Sequence, residues 1–78
     1  MCEIMQMKAA MAERIGERVV AERRRQGLDQ RTLAMVADVA VRSVHRVEHG
    51  EATVRLDVLL RILEALGLEL DVHARTDG

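Results

Sequence analysis

The chain has 78 residues with no proline, no aromatic side chain, one cysteine and a formal net charge of -1, which bounds it to one small domain with a core of Leu, Val, Ile, Ala and Met. The missing aromatics exclude modules that stack bases on aromatic rings, and a lone Cys2 excludes an intrachain disulfide or a cysteine zinc site and fits a reducing compartment. No apolar run approaches the ~20 residues of a membrane span and no basic-then-apolar leader opens the chain, so a soluble, cytoplasmic protein without a membrane partner is expected.

Residues 3–26 lack any Gly-Pro or Asn-Gly break and carry Ile4, Met7, Met11, Ile15 and Val19 at spacings of three and four, which predicts a long first helix. Gly16 costs that helix roughly 1 kcal/mol relative to alanine, so it marks either a close approach or a weak point. Gly27 supplies a left-handed residue to end the helix. The methionines up to Met11 read as core or dimer filler, or as an unstructured start, since termini fray.

Asp29 to Gly50 reads as two short helices joined by a tight turn. Leu33, Ala34 and Ala37 give the first a small apolar face, and Val44 and Val47 repeat at i and i+3 on the second. Ala37-Asp38-Val39 leaves a turn of the length that sets two helices at a steep angle in a helix-turn-helix. Val41, Arg42, Ser43, His45 and Arg46 remain outside, as a reading head. The local charge agrees: Arg23, Arg24, Arg25, Arg31, Arg42 and Arg46 stand against Asp29 and Asp38, whereas from Glu64 onward Glu64, Glu69, Asp71 and Asp77 stand against Arg75. The plainer alternative is that Arg23 to Arg25 solvate a helix end, where cations suit the macrodipole.

After a turn from Gly50 to Arg55, Leu56, Leu59, Leu60, Leu63 and Leu66 form a wide apolar stripe, which Gly67 stops. The period then changes to two: Leu68, Leu70, Val72 and Ala74 alternate with Glu69, Asp71, His73 and Arg75, which predicts a strand. Such a strand has no good partner within the chain, so the economical solution is the same strand from a second copy, paired antiparallel about a two-fold axis. The alternatives are a fifth short helix or a loop packed on the Leu56 to Leu66 stripe. In the paired arrangement Leu60, Leu68, Leu70 and Val72 form the dimer seam, with Ile62 exposed beside them.

A major groove about 12 Å wide admits one helix, and a guanidinium can bond both O6 and N7 of guanine. Arg42 or Arg46 suits that contact, Val41 a thymine methyl, and Ser43, Thr53, Arg55 and the amides opening the next helix suit phosphates. Catalysis finds no constellation: Ser43 and His45 are two apart on a helix and face different ways. His45 and His49 are four apart but lack a third ligand, so no metal is expected, nor any cofactor or small-molecule substrate.

From Ile15 to Leu70 the chain resembles the Cro/repressor-type (XRE) helix-turn-helix family. The resemblance rests on Gly27-Leu28-x-Gln30-x-x-Leu33-Ala34, then Val39-x-x-x-Ser43-Val44-x-Arg46-Val47-Glu48-x-Gly50, then Leu56-x-x-Leu59-Leu60-x-x-Leu63-x-x-Leu66-Gly67, with no gap. It implies an all-α, lambda-repressor-like bundle of four to five helices, with residues 1–14 extending the first helix, 15–67 forming the DNA-binding domain and 68–78 a dimerisation strand and tail. It further implies that Gln30 contacts the DNA backbone and buttresses the reading helix, and that Val41, Arg42, Ser43, His45 and Arg46 face the major groove or its phosphates; Arg31, in the basic segment beside Gln30, is expected to be a DNA contact as well. Glu48 is implied to be structural, tied to Arg23 or Arg18. Asp38 stands where glycine is usual, and Ala40 where a capping Ser or Thr is usual. The tail from Leu66 to His73 resembles HipB-like antitoxin repressors, whose C-terminal strand pairs across the dimer.

Two functions follow as expectations. One is a homodimeric repressor on a pseudo-palindromic, double-stranded DNA operator, acting as an autoregulating antitoxin with a toxin partner. The other is a protein-interaction adaptor that kept the scaffold and lost DNA reading.

Overall fold

The computed structural model describes residues 2–74, with side chains from residue 8 onward. Four helices follow one another: α1 (Cys2–Arg25), α2 (Gln30–Ala37), α3 (Val41–Glu48) and α4 (Leu56–Leu66). Every helix contributes to one core. Val19 comes from α1, Leu33, Ala34 and Ala37 from α2, Val44 and Val47 from α3, and Ile62, Leu63 and Leu66 from α4. The small faces of α2 and α3 are what allow their close approach.

The helix ends follow from local chemistry. Gly27 and Gly67 both adopt positive φ, at 73° and 76°, and the next residue in each case turns its amide back, Leu28 N to Arg23 O at 3.0 Å and Leu68 N to Leu63 O at 2.8 Å. Asp29 caps α2, its carboxylate accepting from Thr32 N at 2.7 Å. Asp38 takes the left-handed conformation in the turn, φ 59° and ψ 48°, as an aspartate does more readily than most residues. Ala40 opens α3 without a side-chain cap. Gly16 is a close approach: a Cβ built there would lie 2.5 Å from Val47 O and 3.1 Å from Glu48 O. The backbones of α1 and the end of α3 touch with no side chain between them.

Three expectations need correction. Among the α1 stripe residues whose side chains are described, Ile15 and Val19 pack on the core while Met11 is 54 % exposed and does not fill it; Ile4 and Met7 lie outside the described side chains. On α4 the inward face is Leu59, Ile62, Leu63 and Leu66, while Leu56 and Leu60 point outward at 62 % and 43 % exposure; Ile62 is fully buried and cannot serve a dimer seam. The described part of the tail, residues 68–74, forms neither helix nor strand. A strand exists only by its ladder of hydrogen bonds, and the described chain offers the tail no second strand. Leu68 packs against its own core instead of standing free for a partner, whereas Leu70 and Val72 are exposed.

Candidate nucleic-acid interface

The site is built from the end of α1 outward. Glu48, the last residue of α3, is the anchor. Arg23 reaches it with a bidentate fork, Nε to Oε2 at 2.6 Å and Nη2 to Oε1 at 3.1 Å, and spends its remaining nitrogen on Leu28 O at 2.9 Å. Gln30 Nε2, from the first residue of α2, donates to the same Glu48 Oε1 at 2.8 Å. One carboxylate therefore ties together α1, α2 and α3. Burial acts to raise its pKa, but the bonds from Arg23 and Gln30 and the charge of Arg23 outweigh it, and the carboxyl is held below its ordinary value. Of the two arginines implied as partner, Arg23 is the one that reaches.

With Val44 and Val47 buried, the advance of about 100° per residue turns Arg42, His45 and Arg46 away from the core, with Val41 and Ser43 on the flanks. Val41, Arg42 and His45 are exposed, and Ser43 and Arg46 half-buried. Arg46 is tethered: Nη2 donates to Thr53 Oγ1 at 2.9 Å and Nε to Glu51 Oε1 at 3.2 Å. Arg55 lies beside Asp57 at 3.3 Å. Arg42 and Arg31 are exposed and make no ion pair among the described residues. The structure thus brings Arg46 and Thr53 together and sets Gln30 behind the reading helix, while Arg31 and Arg55 stand exposed at the starts of α2 and α4.

Two of the three arginines that end α1 are paired rather than free. Arg23 belongs to Glu48, and Arg25 pairs with Glu22, which also accepts from Gln26 Nε2 at 2.9 Å. Gln26 in turn donates to Leu66 O at 2.9 Å, joining the carboxyl ends of α1 and α4. Only Arg24 of the three faces solvent without such a partner among the described residues. Sequence spacing missed Glu51, because it lies in a loop whose path, not a helical repeat, brings it to Arg46. Arg61 was missed likewise; its Nη1 donates to Asp38 O at 3.3 Å and steadies the turn between α2 and α3.

Among the described residues no three His, Cys, Asp or Glu side chains gather as a metal site requires, and no helix is long and apolar enough to cross a membrane. The profile of the helix-turn-helix family matches residues 19–73. No curated relative matches the chain. The match spans all of α2, α3 and α4, together with α1 from Val19 onward. The chain therefore belongs to the Cro/repressor-type helix-turn-helix family of DNA-binding regulators.

Proposed function

We propose that the protein is a sequence-specific repressor that acts as a homodimer, each copy laying α3 in the major groove of a pseudo-palindromic operator. The observation that carries this is the outward face of α3, where Arg42 and His45 stand exposed on a helix locked from behind by Glu48, Arg23 and Gln30. A locked helix holds its side chains in register with base edges, and the unpaired Arg42 is the candidate for bidentate contact with guanine. Val41 suits a thymine methyl. Ser43, Arg46, Thr53, Arg31 and Arg55 ring that face as phosphate contacts. The likeness of the tail to HipB-like antitoxin repressors supports a second role, as an autoregulating antitoxin that binds a toxin partner.

A gel shift with the DNA upstream of the protein's own reading frame tests the reading. Specific binding that weakens steeply with salt is expected, since each phosphate neutralised adds about 0.9 to the logarithmic slope. Arg42→Ala should cost about 1–3 kcal/mol and relax preference at one base pair. Equal losses on every sequence would make Arg42 a phosphate contact. No specific shift at any salt would instead favour a protein-interaction adaptor.

A further inference from the structure

The face of α1 that enters the core continues beyond it toward the start of the helix. Lys8, Met11, Ala12 and Ile15 follow at steps of three, one and three, which places them on one side of the helix. Beside them runs the loop after α3, whose Gly50 lies close against Glu13. Between α1, that loop and α4 is a cavity of about 400 Å³, within the range of about 300–1,000 Å³ typical of small-molecule sites. Met11, Ala12, Ile15, Val47, Val54 and Leu59 form its walls, and no hydroxyl, amide or imidazole side chain lines it. Two charged residues do, Lys8 and Glu51. They are not equivalent. The Glu51 carboxylate accepts from Arg46 Nε at 3.2 Å, whereas Lys8 is exposed and makes no ion pair among the described residues. The charge left to answer is a single ammonium at the end of an apolar wall.

We propose that this cavity binds an aliphatic carboxylate, with the hydrocarbon body against Met11, Ile15, Val54 and Leu59 and the carboxylate paired with Lys8. Three features select that class. A hydrocarbon body gains by covering apolar surface that otherwise faces water, Met11 foremost at 54 % exposure. A body bearing hydroxyls or amides would find no side-chain partner along these walls, and a buried polar group without a partner is costly. A cationic head would meet Lys8 with like charge, and an anionic head meets it with opposite charge. The site also touches the reading face: Glu51 lines the cavity, and Thr53, two residues on, accepts from Arg46 Nη2 at 2.9 Å. One short loop therefore borders the ligand and positions a proposed DNA contact. The inference concerns the free protein and does not rest on the operator reading.

Methyl NMR of the full chain, titrated with decanoate below its micelle concentration, tests it. Saturable shifts are expected at Met11, Ala12, Ile15, Val54 and Leu59, and none at Met35 and Val36, which are exposed on α2 away from the cavity lining. Decylammonium, of the same chain length, should bind about two- to five-fold more weakly, the reach of an exposed ion pair. Lys8→Glu should invert that order. Ala12→Leu thickens the wall and should abolish saturation with helical circular dichroism retained; Lys8→Glu, at an exposed position, keeps the test decisive should Ala12→Leu not fold. Absence of saturable shifts in the wild type, equal shifts at Met35 and Val36, a decylammonium that binds as tightly as decanoate, an order unchanged by Lys8→Glu, or undiminished binding by a folded Ala12→Leu overturns the inference. Shifts of the same methyls on dilution without ligand would give the cavity to a second copy of the chain and overturn it as well.

Discussion

Ala40 and Asp29 occupy equivalent places, one before α3 and one before α2, and differ in what they give the helix behind them. Asp29 accepts from Thr32 N, while Ala40 offers no side-chain acceptor. Ala40→Ser should therefore stabilise the fold by about 1 kcal/mol, a rise of about 4–8 °C in thermal midpoint for a domain of this size. An unchanged midpoint would show that the amides opening α3 are already satisfied by water. Residues in the family pattern were legible at this scale: Asp38 in the turn, Ala40 at the cap and Glu48 as the structural carboxylate all stand where the pattern puts them. The tie from Arg46 to Glu51 and Thr53 was not, because residues five and seven apart meet only when the intervening loop curls back.

Between elements, the crossing of α1 and α3 turns on Gly16. Alanine is the better helix former by about 1 kcal/mol, so propensity alone makes Gly16→Ala stabilising. The structure reverses the sign, since the new methyl would meet backbone oxygen at 2.5 Å and backbone cannot swing aside as a side chain can. Destabilisation of about 1–3 kcal/mol is expected from the forced separation of the helices, read by urea unfolding. A stabilised variant would show the two backbones standing further apart. The four helices were readable from their periods, and Leu59, Leu63 and Leu66 of the expected α4 stripe do face inward. The width of that face was not legible: Leu56 and Leu60 lie outside it and Ile62 inside, because the neighbouring helices decide where a broad apolar stripe meets solvent. The period of two after Gly67 was misleading in the same way, for alternation describes a strand's side chains and not its hydrogen-bonding partner.

At the scale of the molecule, three carboxylates hold depressed pKa values in the fold. Bonds from Arg25 and Gln26 bring Glu22 from 4.5 to about 2, the amide of Thr32 lowers Asp29, and Arg23 and Gln30 lower Glu48 against the effect of its burial. The unfolded chain takes up these protons first, so their stabilisation is complete above the ordinary carboxylate range and is lost as pH falls through the folded values. The thermal midpoint should decline progressively below pH 4.5 toward pH 2, and Glu22→Gln should flatten the most acidic part of that decline. A midpoint constant down to pH 3 would contradict the assignment. The joint between α1 and α3 has a different consequence, for distance. Gly16 against Val47 sets backbone on backbone with nothing compliant between, and Gly50 lies close against Glu13. In the homodimer proposed above, a reading helix fixed to α1 in this way would not swivel to follow a displaced half-site. One base pair inserted at the operator's centre shifts and rotates one half-site relative to the other, against half-sites spaced about 34 Å apart. The proposed dimer would work as a gauge, tolerating spelling errors within a half-site, each at a modest cost, and refusing a change in the gap between them.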